Sequence, residues 1–268
     1  MGTESPSLFC DIALAERVER AEAALMATAS RGFGIPVGGG VATFGEPGSP
    51  FNKVAGLVGV PSAAELAEVE RAFAERGAAV QVELAHVADP AIGALLTERG
   101  YRLVGFENVL GRVLTGTTER VKPQGVEIRT DDEVQPWIDV QVAGFAHPDT
   151  EGTPSHEEFP RDVIDRAMRD MVAAGTRRYT ARFDGVIAGG ASFRVTDGIA
   201  QLTGAATAPE FRRRGVQTAL LSARLADAAE AGCDLAVITT QPGSKSHQNA
   251  QRRGFDLLYT RAILIKTP

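Results

Sequence analysis

The residues best suited to chemistry lie in one short turn, Arg212-Arg213-Arg214-Gly215-Val216-Gln217. It follows an apolar stretch ending at Thr207 and the segment Ala208-Pro209-Glu210-Phe211, and it precedes a run of good helix formers, among them Ala219, Leu220, Leu221, Ala223, Leu225 and Ala226. A helix start leaves several backbone N–H groups unpaired and carries a partial positive charge. Gly215, which has no Cβ, lets the backbone come close to a bulky anion. Three arginines at the positive end of a helix oppose its dipole, which argues for a compensating anion, and guanidinium groups suit phosphate oxygens. A pyrophosphate can be held there without further apparatus. On the residues alone this reading stands level with a solvated basic turn opening an ordinary helix. The spacing matches neither a Walker loop, which needs Gly-Lys-Ser/Thr, nor a dinucleotide fingerprint with its three spaced glycines.

The elements that must position this turn follow from periodicity and breakers. A strand over 199–207 and a helix over 216–231 flank it, then a strand at 235–240, a helix at 244–253 and a closing strand at 255–265. Upstream come a strand at 126–129, helices at 133–145 and 157–173, and strands at 178–183 and 186–194. The first half opens with an amphipathic helix over 8–30, carrying Phe9, Ile12, Val18, Leu25 and Met26, broken by the Gly/Pro-rich stretch 31–40. Strands at 41–44 and 51–60 come next. A helix over 63–76 then has Ser62 as N-cap and Glu65 three residues on, the capping-box spacing. A strand at 80–84, a helix at 90–99 and a strand at 101–114 finish the half, and 115–125 has few apolar groups, as a linker would.

The two halves share their order of elements. Helix ends match as Glu98-Arg99-Gly100-Tyr101 and Arg252-Arg253-Gly254-Phe255, and Pro61 to Gly100 and Gly215 to Gly254 are both 39 positions apart. The expected fold class is α/β with a mixed sheet, divided into a first unit at 1–118, a linker at 119–125 and a second unit at 126–268.

Composition narrows the function. Hydrophobic residues make up 44% and charged residues 23% of the 268, a globular profile. The formal charge is −6 and the one dense basic run is the arginine turn, so nucleic acid is not the expected partner. Asp11, Glu16, Arg17 and Glu19 interrupt any signal-like apolar region and no run is long enough to span a membrane, so a cytoplasmic location is the default expectation. Cys10 and Cys233 read as reduced, half-buried or core thiols, and no clustered Cys/His spacing suggests a metal site.

At the arginine turn the sequence resembles the GNAT superfamily of acyl-CoA-dependent N-acyltransferases, whose signature is Arg/Gln-x-x-Gly-x-Gly/Ala after a strand. The segment from Thr207 to Gln217 fits except that Gln217 replaces the second small residue and Thr207 replaces the usual Val. Ser246-His247-Gln248-Asn249, Arg252-Arg253-Gly254-Phe255 and Tyr259 extend the likeness, which covers 126–266. The resemblance implies two tandem GNAT-like domains, each a mostly antiparallel mixed sheet flanked by helices, the first a degenerate copy because its equivalent turn, Gly59-Val60-Pro61-Ser62, has no arginine. It implies a sheet splayed between the strands ending at Thr207 and Thr240, with acetyl-CoA as co-substrate. Backbone at Thr207 and Ala208 would meet pantetheine. Arg212 and the amides of Arg214, Gly215, Val216, Gln217 and Thr218 would hold pyrophosphate, and Asn249 would lie near the pantetheine arm.

The implied reaction is acetyl transfer to a primary amine, on a small molecule, by direct attack on the thioester. The acceptor segment is expected at 147–159, where Glu151 is a candidate base among His147, Asp149, His156, Glu157 and Glu158; a solvated polar loop is the competing reading. The family's usual tyrosine acid falls at Ala250, which leaves Tyr259, Ser246 and His247 as substitutes in its neighbourhood. For Tyr259 and His247 a packed strand tyrosine and an exposed helix residue are the competing readings. The missing acid also motivates an alternative, a catalytically inactive acyl-CoA-binding sensor or structural module. The assembly is expected to be a monomer or homodimer, and no metal is expected. Trp137, the only tryptophan, is assigned to the core.

Overall fold

The computed structural model describes residues 8–116, 118–147 and 158–268. The first half contains α1 (Ile12–Ala29), β1 (Gly34–Val37), β2 (Gly40–Thr43), β3 (Lys53–Ala55), α2 (Ala63–Ala74), β4 (Val80–Ala85), α3 (Pro90–Glu98) and β5 (Arg102–Val113). The second contains β6 (Val126–Arg129), α4 (Val134–Phe145), α5 (Arg161–Ala173), β7 (Arg177–Phe183), β8 (Val186–Thr196), β9 (Ile199–Thr207), α6 (Val216–Glu230), β10 (Leu235–Thr240), α7 (Lys245–Gln251) and β11 (Asp256–Lys266). The capping box forms as its spacing predicts: Ser62 accepts from the Glu65 amide and Glu65 reaches back to the Ser62 amide.

Two local expectations are corrected. The stretch 31–40 is more than a break, because β1 pairs with β2 around Gly38 (φ 52°) and Gly39 (φ 78°), a turn whose two positive φ angles favour glycine. Pro36 is tolerated because β1 is an edge strand. The strand expected at 51–60 is only Lys53–Ala55, because Gly56 turns at φ 75° against α1, where a Cβ would lie 2.8 Å from Ala23 Cβ.

The repeat is visible in the helix ends. Tyr101 N–H bonds to the Leu96 carbonyl and Phe255 N–H to the Ala250 carbonyl, each across a left-handed glycine, Gly100 or Gly254. The aromatic side chains that follow, Tyr101 and Phe255, are both buried. Thus β3–α2–β4–α3–β5 and β9–α6–β10–α7–β11 are the same sequence of elements.

All the strands form one mostly antiparallel mixed sheet, ordered β1-β2-β3-β4-β11-β5-β10-β9-β8-β7-β6. Its centre shows an exchange. The last strand of the second half, β11, lies between β4 and β5, while the last strand of the first half, β5, lies between β11 and β10. Alternate side chains divide the faces. On β9 and β10, Ile199, Leu235 and Val237 pack beneath α1, whereas Ala200, Leu202 and Ala236 join the core under α6. One face therefore carries α1, α4 and α5, and the other carries α2, α3, α6 and α7. Trp137 is fully buried on α4, as expected, and donates to the Ala191 carbonyl.

Candidate functional site

The parallel pairing of β9 with β10 stops early. It runs from Leu235 opposite Ile199 to Val237 opposite Gln201, while β9 continues to Thr207 and β10 to Thr240. The splay expected between these two ends is therefore present. It opens at the carboxyl ends of the strands, where open α/β sheets bind ligands. The Ala208 amide donates to the Ala188 carbonyl on the β8 side, and its own carbonyl accepts from Phe211. Alternation along the strand then turns the backbone of Thr207 toward the gap. The two backbone groups named at the sequence level thus differ, because those of Ala208 are already bonded.

A register shift on β9, where Thr203 to Ala206 faces Gly190 to Ser192 of β8, kinks the strand pair beside the gap. Arg224 of α6, fully buried, underpins it, donating to the Ser192 carbonyl at 3.1 Å and lying 3.5 Å from that of Thr203. Burial pulls its guanidinium down to about 10.

The arginine turn closes the carboxyl end of β9. A single 3₁₀ turn (Pro209–Phe211) leads to Arg213 at φ 62° and Gly215 at φ 82°. A Cβ on Gly215 would meet Pro123 Cβ at 2.7 Å, so this glycine is required by the crossing linker as well as by its φ angle. α6, like α4 and α5, starts with no side-chain cap, and it has no acidic residue in its first turn; α1, α2, α3 and α7 are capped by Asp11, Ser62, Asp89 and Ser244. Its first amides are therefore left for another acceptor. Arg212 donates to the His147 carbonyl, and the Arg214 guanidinium lies 5.0 Å over the Phe183 ring. Among the described residues none of the three arginines is paired with a carboxylate.

The two departures from the motif touch each other. Gln217 Nε2 donates to Thr207 Oγ1 at 2.8 Å, which ties the first turn of α6 to the end of β9. Thr218 is held by Arg253, whose Nη2 donates to its hydroxyl at 3.0 Å.

On the α7 side of the gap, His247 Nδ1 lies 3.4 Å from both Thr240 Oγ1 and Asn108 Nδ2, and Thr260 donates to Asn108 Oδ1 at 2.8 Å. Ser246 and Asn249 are on the same short helix, and the Asn249 carboxamide oxygen lies 3.4 Å from Arg252. Ala250, at the position of the family's acid, is 1% exposed and packs in the core.

Tyr259 is elsewhere. It sits on the α1 face, 1% exposed, and its hydroxyl donates to Glu19 at 2.7 Å. It belongs to a charge network that sequence reading missed because its members come from five separate elements. Glu19 and Glu22 descend from α1, Lys53 from β3, Glu83 from β4, Glu107 from β5, and Arg261 from β11. Arg261 bonds Glu19 at 2.8 Å, and Lys53 bonds Glu83 at 2.6 Å. Burial and then Arg261, Glu19 and Glu22 act on Tyr259, leaving its hydroxyl well above the ordinary range. Burial, reinforced by Glu83, lifts Glu107 to about 7. Glu107 lies one position beyond Asn108, the partner of Thr240 at the last pair of β10, so on β5 it is level with the carboxyl end of β10. Glu151 and most of the acidic segment 147–159 lie outside the described residues.

Residues 142–255 match the acetyltransferase (GNAT) family. The chemistry of that family is acyl transfer from acyl-CoA, with acetyl-CoA as the general co-substrate. Solved structures share the fold over nearly the whole chain. It is similar to a GCN5-related N-acetyltransferase from Kribbella flavida, 21% identical with a TM-score of 0.68, covering 94% of this chain and 95% of that one. A tandem GNAT protein from the clavulanic acid biosynthesis pathway is 16% identical with a TM-score of 0.62, covering 96% and 94%. A putative acetyltransferase of the GNAT family from Novosphingobium aromaticivorans is 15% identical with a TM-score of 0.59, covering 94% and 99%. No curated protein matches the sequence. No helix among the described residues is long and apolar enough to cross a membrane, and no group of three or more His, Cys, Asp or Glu there could hold a metal ion.

Proposed function

We propose that this chain is an N-acetyltransferase that moves an acetyl group from acetyl-CoA to the primary amine of a small molecule. The observation that carries the reading is the gap beyond Gln201 and Val237, facing an uncapped helix start preceded by three arginines. The amides of Gly215, Val216, Gln217 and Thr218 receive the pyrophosphate, with Arg212 and Arg214 beside them. The open backbone of Thr207 pairs with pantetheine. Asn249, on α7, borders that arm.

The amine nitrogen enters from the α1 and α4 face and attacks the thioester carbonyl carbon. A C–N bond forms, the C–S bond breaks, and the nitrogen gives up a proton. Glu107, poised near neutrality on β5, the strand next to β10, accepts that proton. The departing thiolate takes its proton on the α7 side, where Ser246 and His247 lie. Tyr259 is held by Glu19 and serves the charge network. The first half, 1–118, contributes β5 and hence Glu107 to the site of the second, 126–268.

Incubation with acetyl-CoA and a panel of small amines, reading free thiol, is expected to give turnover. Tight CoA binding without turnover on any amine favours the sensor reading, to which the buried Ala250 points. The double change Arg212→Ala, Arg214→Ala is expected to weaken CoA binding at least tenfold by calorimetry; unchanged affinity overturns the pyrophosphate assignment.

A further inference from the structure

Beside α6 lies a cavity of about 290 Å³ that the gap does not explain, walled by the crossing linker at Thr118 and Glu119, by Ser222 and Leu225, and by two arginines, Arg112 and Arg253. Arg112 comes from β5 of the first half and Arg253 from the end of α7. Arg112 Nη1 donates to the Arg253 carbonyl at 2.8 Å, which brings the two residues together. Burial, and then the charge of Arg253, pulls the Arg112 guanidinium down from its ordinary range. Neither arginine is paired with a carboxylate among the described residues, and Glu119, on the rim, is exposed.

Two like charges kept close in a half-buried cavity raise each other's energy unless an anion joins them. A phosphomonoester suits this cavity. It carries close to two negative charges near neutrality and three acceptor oxygens, and guanidinium forks match them. Arg253 also ties the cavity to the arginine turn, because its Nη2 holds Thr218, in the first turn of α6. From Thr218 to Ser222 is about 6 Å along the helix axis, at about 1.5 Å per residue. That is the reach of one ribose with its ester bonds.

We propose that Arg112 and Arg253 bind the 3′-phosphate of CoA, so that the first half and the linker help to form the nucleotide end of the site. This assignment rests on the CoA reading above and adds to it a discrimination between CoA and dephospho-CoA, which keeps the pyrophosphate and pantetheine but lacks that one group.

Calorimetry on the full chain tests it. CoA is expected to bind at least tenfold more tightly than dephospho-CoA. In an Arg112→Gln variant, CoA is expected to fall toward the level at which the unaltered protein binds dephospho-CoA, with dephospho-CoA itself unchanged. Equal binding of the two ligands by the unaltered protein overturns the assignment and leaves the CoA reading standing, and needs no variant that folds. Binding of neither overturns both. Inorganic phosphate that binds the unaltered protein but not the variant, without competing with CoA, assigns the cavity to a free anion and also overturns the proposal.

Discussion

At the residue scale, the carboxyl group of Glu107 decides how the proposed reaction depends on pH. Glu83 faces it from β4, Lys53 from β3, Arg261 from β11 and Glu22 from α1. The carboxylates raise its affinity for a proton and the two cations lower it. With the group lifted to about 7, turnover is expected to rise through neutrality as Glu107 loses its proton. Glu107→Gln should lower the rate about 10²-fold and remove that rise from the pH profile; a profile unchanged in the variant would exclude Glu107 as the base. The same group acts oppositely on stability. Its folded affinity for the proton exceeds its unfolded one, so its contribution weakens as pH climbs from the ordinary glutamate range through about 7. None of this was legible in the sequence, where Glu107 is one acid among 34 acidic residues in a strand-like stretch. The Gln217–Thr207 bond was half legible: both positions stood out as departures from the motif, but only the fold brings them together.

At the scale of elements, the parts that a local rule specifies are the ones the sequence placed well. The Ser62 cap, the paired Gly100 and Gly254 helix ends and the strand before the arginine turn each follow from side-chain-to-backbone bonding or backbone freedom over a few residues. β1 escaped because a proline on an edge strand reads as a breaker, and Tyr259 stayed open between an acid and a packed strand residue because a strand tyrosine says nothing about which face of the sheet it joins. Ser62→Ala should cost about 1 kcal/mol in urea unfolding, the usual worth of an N-cap, and leave CoA affinity unchanged, since α2 has no part in the arginine turn. A loss of affinity in that variant would mean that the two halves are coupled through α2.

At the scale of the molecule, the exchange of β5 and β11 is the least legible feature, because strand order depends on pairings far apart in sequence. Either half alone would lack the strand that lies next to its own penultimate one: β4 borders β11, and β10 borders β5. Fragments 1–118 and 126–268 made separately are therefore expected to aggregate or remain unfolded, and co-expression to restore a soluble complex. The intact chain is expected to melt in one calorimetric transition. Independent, well-dispersed spectra from each fragment would show that the exchanged strands are not needed for either half.

That arrangement also sets an order on the way the protein is made. As the chain leaves the ribosome, β4 and β5 emerge together, but the slot between them stays open until residues 256–266 follow. Closing so distant a pairing is slow, and the open edges are exposed for the whole of that interval. The charge network fits that schedule: Lys53 already holds Glu83, but Glu19 and Glu107 leave the network with an excess of acid until Arg261 arrives with β11 and bonds Glu19 and Glu83. Like charges on an unfinished edge repel a second nascent chain, so the residues that poise the site for chemistry also guard the molecule during its synthesis.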